Sequence, residues 1–246
     1  MAQATPRYVW GLINPRVGED ERELSDKSEP LLPPEVAVVS NGLGIRDYTV
    51  EGVEEAIVRY DALAAELVGR GAQRVVLAGI PISVQLGRKR VVELMRYTQE
   101  RFGVPGDAAA EAVIAAMQHL GVSKVAVGSR WAEEVNNALI RYFAEADIEV
   151  LAITSEGQWA EQGSAMSFDR GVRLAFDLGR QAMREAPGAD SLFLPGGAWR
   201  PLAAVPILEE DYGKPVLTNG NTRAWRIIHD GHAPPVHGWG TLLATP

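Results

Sequence analysis

The chain has 246 residues, enough for one large or two small domains with proper cores. It is 46% hydrophobic and 23% charged with a formal net charge of −8, which argues against nucleic acid or an anionic membrane as the main partner but leaves a small anionic substrate open. There is no cysteine, so disulfides, thiolate metal sites and thiol nucleophiles or acid–base groups are excluded.

Met1–Arg7 lacks a basic region followed by a long apolar run, and no apolar run approaches the roughly 20 residues that span a bilayer. The expectation is a cytoplasmic protein. Tyr8 to Ile13 reads as a first strand, ending at Asn14-Pro15. Arg16 to Pro34 is a polar loop, Glu35 to Ser40 a second strand and Asn41 to Gly44 a turn. Thr49 reads as the N-cap of a helix running to about Gly69, with Ile57, Tyr60, Leu63 and Leu67 on its apolar face. Arg74 to Ala78 is a third strand. A helix from Pro81 or Ser83 follows, ending at Phe102-Gly103. After an extended Val104-Pro105, Asp107 reads as the N-cap of a helix from Ala108 to Leu120.

Gly121 to Val127 contains a turn and a strand, Trp131 to Ala146 reads as a helix, and Ile148 to Ile153 as a strand. Thr154 to Met166 reads as a loop or short irregular helix. A helix from Phe168 or Asp169 to about Ala186 precedes a buried strand, Ser191 to Leu194, which stops at Pro195-Gly196-Gly197. A helix from near Trp199 to Tyr212, a strand Pro215 to Thr218, a helix Asn221 to Ile228 and a tail rich in Gly, Pro and His complete the chain.

Alternating strands and helices predict an α/β protein with mostly parallel sheets. The order repeats. A strand meeting Gly79, a helix and Gly103-Val-Pro105 make up the first half, and a strand meeting Gly196, a helix and Gly213-Lys-Pro215 the second. Two similar lobes follow, residues 1–120 with 219–246 and residues 121–218, with an active-site cleft expected between them, beyond the carboxyl ends of the strands.

Ser40-Asn-Gly-Leu-Gly-Ile45 with Thr49-Val-Glu-Gly52, Gly79-Ile-Pro-Ile-Ser83, Leu120 to Val127 with Glu134-Val-Asn136, Gly196-Gly197 with Ala204-Val-Pro206, and Gly213-Lys-Pro-Val216 with Trp225 fall in one order along the chain. In these stretches the sequence resembles the aspartate/glutamate racemase superfamily, in its branch of arylmalonate decarboxylase and maleate isomerase. The resemblance implies a cofactor-independent enzyme that adds, removes or shuttles a proton on the carbon next to a carboxylate, without a metal, and makes a homo-oligomer plausible. It also implies one catalytic cysteine per lobe, or in the decarboxylase only the second. Those positions fall here on Gly79 and on Gly196, or on Pro195 if the match slips by one. Two hydroxyl residues that hold the departing carboxylate are replaced by Ile80 and Pro81, and a tyrosine by Trp131. The backbone hole at Gly196, Gly197 and Ala198 is expected to survive.

Replacement chemistry is sought among carboxyls. Asp107 and Glu111 are spaced i, i+4, which places both on one face of the expected helix as candidate acid–base groups. The competing reading is a cap and a solvated first-turn glutamate. Arg46, Arg130 and Arg200 are candidates to grip a carboxylate, or ordinary surface arginines. Asn14, Thr218, Asn219 and Asn221 stand at strand ends, suited to orienting a substrate or to turn and cap chemistry. Leu43 within Gly42-Leu-Gly44, Trp131 and Trp199 are candidates for an apolar wall, or packing. His229, His232 and His237 match no zinc spacing. The functional expectation is a lyase of the decarboxylase type or an isomerase acting on a small carboxylic acid. The alternatives are a non-catalytic carboxylate-binding protein, or a lyase or hydrolase with unrelated chemistry drawn from Glu156, Trp159 and Glu161.

Overall fold

The computed structural model describes residues 7–16, 31–33, 35–158 and 166–245. Most of the expected loop from Arg16 to Pro34 lies outside the described residues, as do Trp159 and Glu161. The described chain forms two compact units. One runs to Glu111 and includes Asp230–Ala233; the other holds Ala112–His229 and the residues from Pro234 onward.

The first unit carries a four-stranded parallel sheet in the order β2-β1-β3-β4. Its strands are β1 (Tyr8–Asn14), β2 (Val36–Gly42), β3 (Arg74–Leu77) and β4 (Gly106–Ala108). The central strands read as continuous apolar runs because helices cover both faces of a parallel sheet. Thr49 caps α1 (Val50–Ile57), its hydroxyl accepting from the Gly52 N–H at 3.1 Å. The single helix expected to Gly69 is interrupted: the Arg59 N–H bonds the Ala56 carbonyl in a tightened turn, and α2 (Tyr60–Gly69) starts afresh. The next expected helix is also two, α3 (Ile80–Leu86) and α4 (Arg88–Phe102), because Gly87 between them sits at φ +77°, outside the helical region. Asp107 is not a helix cap. It lies inside β4, paired with Val76, and α5 (Ala109–His119) begins after the strand.

The second unit repeats the plan, with parallel order β6-β5-β7-β8. Its strands are β5 (Lys124–Trp131), β6 (Glu149–Gln158), β7 (Ser191–Leu194) and β8 (Val216–Thr218). The helices are α6 (Glu133–Ala144), α7 (Phe168–Glu185), α8 (Val205–Tyr212), α9 (Asn219–His229) and α10 (Thr241–Ala244), with a 3₁₀ turn at Pro201–Ala204. Trp131, expected to start a helix, ends β5, and the expected loop from Thr154 continues β6 as far as Gln158. The helix Asn219–His229, expected with the first lobe, groups with the second unit.

The repeat reaches individual hydrogen bonds. Gly103 and Gly213 both close a helix in the left-handed conformation. Pro105 and Pro215 then each offer a carbonyl to the following sheet, to Val75 and Leu192. Just before β3, the Gln73 side chain accepts from the Val9 N–H; just before β7, Asp190 accepts from the N–H groups of Ser123 and Lys124. These bonds hold the Asp190 carboxyl below its ordinary range. Helix α7 lies against β5 closely enough that a Cβ at Gly128 would stand 3.0 Å from the Gly179 nitrogen. At Gly171 a Cβ would meet the Trp199 carbonyl oxygen at 2.2 Å.

Gly171→Ala therefore forces the Trp199 backbone outward and is expected to destabilise the protein by about 1–3 kcal/mol in urea unfolding. Gly197→Ala, with no heavy atom within 4 Å of the new carbon, is expected to change stability far less. Asp190→Asn is expected to lower stability at neutral pH. Because the folded carboxyl is depressed, the wild type's advantage is present above the unfolded pKa of about 3.9 and shrinks as pH falls through the folded value. An unchanged stability difference between pH 7 and pH 3 would contradict this assignment.

Candidate functional site

Each sheet has a central strand that ends at a glycine with positive φ. Gly79 follows β3 at φ +96° and Gly196 follows β7 at φ +92°. Side chains rarely adopt this backbone, so both turns are built for glycine. At Gly79 a Cβ would also meet the Pro15 ring at 2.9 Å.

The Gly196 turn is braced from several directions. The Trp199 indole N–H donates to the carbonyls of Pro195 (2.9 Å) and Gly196 (2.8 Å). The Gly196 N–H donates to Asn219 Oδ1 at 2.8 Å. That donor is thus taken up internally, which leaves Gly197 and Ala198 as the donors of the expected backbone hole. Gly197 is exposed and has open space beside it. Arg200, at the far end of the turn, holds φ +55°, a strained conformation for a non-glycine residue. It points its guanidinium over the exposed Phe168 ring at 5.5 Å.

A Cβ built on Gly196 would meet the Trp131 ring at 3.2 Å, the Trp199 indole nitrogen at 3.6 Å and Arg130 Nε at 3.7 Å. Trp131 and Trp199, the candidates for an apolar wall, thus both lie beside this position. Arg130 is 3% exposed and its guanidinium lies 3.9 Å over the Trp131 ring, a cation–π stack. The β5–β6 register shifts between Ser129 and Trp131: Arg130 alone stands opposite Glu156 and Gly157, so the extra residue of the bulge lies on β6, at Gly157 with φ +67°. The neighbours of Arg130 are fixed by a network that runs from the buried Ser129 and Asn136 to the exposed Ser155. Ser129 Oγ donates to Asn136 Oδ1 (2.6 Å), and Asn136 Nδ2 donates to the Trp131 carbonyl (2.9 Å) and to Ser155 Oγ (3.1 Å).

Thr218 and Asn221 close a reciprocal cap on α9. Asn221 Oδ1 accepts from the Thr218 N–H at 2.7 Å, Thr218 Oγ1 accepts from the Asn221 N–H at 3.1 Å, and Asn221 Nδ2 donates to the Val216 carbonyl. Their polar atoms serve the strand-to-helix corner. Arg223, one turn after Asn219, is half-buried, and burial pushes its guanidinium down to about 10.

In the first unit, Asn14 ends β1 buried, and its carbonyl accepts from the N–H of the fully buried Leu43. Ile80 is buried at the start of α3, and Arg46 is exposed. Asp107 and Glu111 do not share a helix face. Asp107 reaches Arg74, at the amino end of β3, at 3.5 Å, and Arg74 also pairs with Asp230 and stacks over Trp10. The Asp107 carboxylate is thus drawn toward the amino-terminal edge of the sheet. At this edge the Tyr8 ring stacks on His232 at 3.7 Å, and burial pushes the Tyr8 hydroxyl up. Glu111 stands in the first turn of α5, just beyond the carboxyl end of β4. Arg88 grips both of its oxygens, Nε at 3.0 Å and Nη2 at 3.4 Å. His229 stacks on Trp225 at 4.7 Å, and no group of three metal-ligating side chains occurs among the described residues.

Sequence reasoning noted Arg130 as one of three arginines but had no means to rank it; it named Asn136 only within the stretches that carry the resemblance and missed Ser129 and Ser155.

The family model for arylmalonate decarboxylase matches residues 21–243. Arylmalonate decarboxylase of Bordetella bronchiseptica is 27% identical over 250 residues, 99% of each chain. The solved structure of unliganded arylmalonate decarboxylase superposes with a TM-score of 0.82 at 26% identity, covering 97% of this chain and 100% of that one. A maleate cis-trans isomerase mutant from Nocardia farcinica, solved with a covalently bound succinylcysteine intermediate, gives a TM-score of 0.83 at 15% identity over 97% and 99% of the chains, a likeness of fold.

Asn136→Ala removes the group that joins β5, β6 and the Trp131 carbonyl. It is expected to cost about 1–3 kcal/mol in denaturant unfolding through the buried polar atoms left behind. Asn136→Asp, which cannot donate through both former amide hydrogens, is expected to be no better. A variant as stable as the wild type would show that the network does not hold the site.

Proposed function

Because the chain belongs to the arylmalonate decarboxylase family, we propose that it is a cofactor-independent lyase of the decarboxylase type, or an isomerase, acting at the carbon next to the carboxylate of a small carboxylic acid. The observation that carries this reading is the Gly196–Gly197 turn. It is rigidly braced, open to solvent at Gly197, and lined by a buried cation and two indoles.

In a decarboxylation the bond from the α-carbon to the departing carboxyl breaks and its electron pair passes into the remaining carboxylate, giving an enediolate. Backbone N–H groups at Gly197 and Ala198 suit that developing negative charge. The intermediate then takes one proton at the α-carbon. In the absence of any cysteine, a group other than a thiol must supply that proton, and Glu111 is the carboxyl we propose for the step. Its support is its nearly buried position beyond the carboxyl end of β4. Asp107, held by Arg74 and by the Ala108 N–H, is assigned a structural role. Arg46, Asn14, Leu43 and Ile80 are retained as substrate-binding candidates of the first unit. A soluble cytoplasmic homo-oligomer is the setting we propose.

A second reading has a specific observation behind it. Both positions where the resemblance expects thiols are glycines whose backbone disfavours any side chain, as in a protein that binds a carboxylate without converting it.

Proton NMR in deuterium oxide with substituted malonates, maleate and 2-substituted carboxylic acids separates the two. Loss or exchange of an α-substituent is expected, with turnover falling about 10²- to 10⁴-fold in Glu111→Gln and persisting in Asp107→Asn. Full turnover in Glu111→Gln would remove Glu111 from the mechanism. Ligand-induced thermal stabilisation with no conversion would favour the binding reading.

A further inference from the structure

We propose that Arg223 is a substrate-binding residue of this site, a cation kept without a protein partner so that it can anchor a carboxylate beside the Gly196–Gly197 turn. This rests on the reading that the turn binds a small carboxylic acid, and it names the side chain that holds the ligand's charge.

Among the described residues, Arg223 Nε is buried with no hydrogen-bond partner. No neighbouring charge bears on the guanidinium: burial alone acts on it, and at about 10 it is still protonated at neutral pH. Other half-buried arginines are built differently. Arg74, whose Nε is likewise unpaired, meets Asp107 and Asp230 through its other nitrogens. Arg88 grips Glu111, and Arg226 lies over the Trp225 ring. Taking a cation out of water without a counter-charge destabilises a fold, and an apolar side chain of similar volume would do less harm there. A ligand that brings the counter-charge removes the penalty, so the unpaired state suits a binding group rather than a brace.

Helix α9 sets where that charge stands. Asn221, Thr222, Ala224, Trp225, Ile227 and Ile228 are buried, so Asn219, Gly220, Arg223 and Arg226 form its more open face. Asn219 and Arg223 are spaced i, i+4 on that face. Asn219 is fixed to the turn, its Oδ1 accepting from the Gly196 N–H at 2.8 Å. Side chains on a helix lean toward its amino end, and four residues rise only about 6 Å, which directs Arg223 back toward Asn219 and the turn. The start of the helix is rigid, through the Thr218–Asn221 cap and the Thr222 hydroxyl, which donates to the Thr218 carbonyl at 2.8 Å. A planar guanidinium meets a carboxylate at two points, whereas the isosteric amide offers one weaker acceptor and an N–H₂ group that faces the donors. Arg46 and Arg200 are exposed, and a charge held there is screened.

The test compares 2-phenylpropanoate with 2-phenylpropanamide by calorimetry, using the intact chain. The acid is expected to bind the wild type about 10- to 100-fold more tightly than the amide. Arg223→Gln is expected to bring the two affinities together by weakening the acid alone, and Arg223→Lys, which keeps the charge but loses the fork, to retain part of the preference. Arg223→Met is expected to leave the ligand-free protein at least as stable as the wild type in urea, because no group of the fold pairs with the charge. Retention of the full preference in Arg223→Gln would overturn the role of Arg223 while leaving the carboxylate site in place. A clear loss of ligand-free stability in Arg223→Met would do the same, by making the guanidinium a brace. Equal affinities in the wild type would overturn it without any variant. Binding of neither ligand, nor of malonate, would overturn the underlying carboxylate reading as well.

Discussion

The Gly196 turn is the constraint on which the second unit depends. Its carbonyls are held by the Trp199 indole, its N–H by Asn219, and the Trp199 backbone rests against Gly171 of α7 with no room for a methyl group. Each contact is made possible by a small residue or by an aromatic N–H, and each lies at the carboxyl end of β7. A parallel sheet places the ends of its central strands next to helix starts, so stiffening this corner stiffens the place where backbone donors are presented. The first unit has the same corner at Gly79, but Pro15 rather than an aromatic bracket closes it. The repeat has kept its backbone geometry while the two halves have diverged in side chains.

Much of this fold was legible in the sequence because buried parallel strands are short apolar runs and glycine marks their ends. Ser191–Leu194 followed by Pro195-Gly196-Gly197 was read correctly on those grounds. Gly103-Val-Pro105 and Gly213-Lys-Pro215 identified the repeat because left-handed helix ends demand glycine and a proline cannot continue the helix. The failures share a cause. Asp107 looked like a helix cap, yet it belongs to a three-residue strand that exists through pairing with β3, and that pairing has no local signature. Trp131 and the polar stretch from Thr154 were pulled into strands by each other, through the β5–β6 ladder. Tertiary pairing overrides propensity in each case.

The site was less legible than the fold. Thr218 and Asn221 were named for their polarity, but that polarity is consumed by each other at the α9 cap. Asp107 and Glu111 were joined by a spacing that matters on a helix and means nothing across a strand-to-helix boundary. The two arginines that hold them, Arg74 and Arg88, lie 33 and 23 residues away in sequence. Residue type proposes candidates; only the partner each one has found separates a site from a brace.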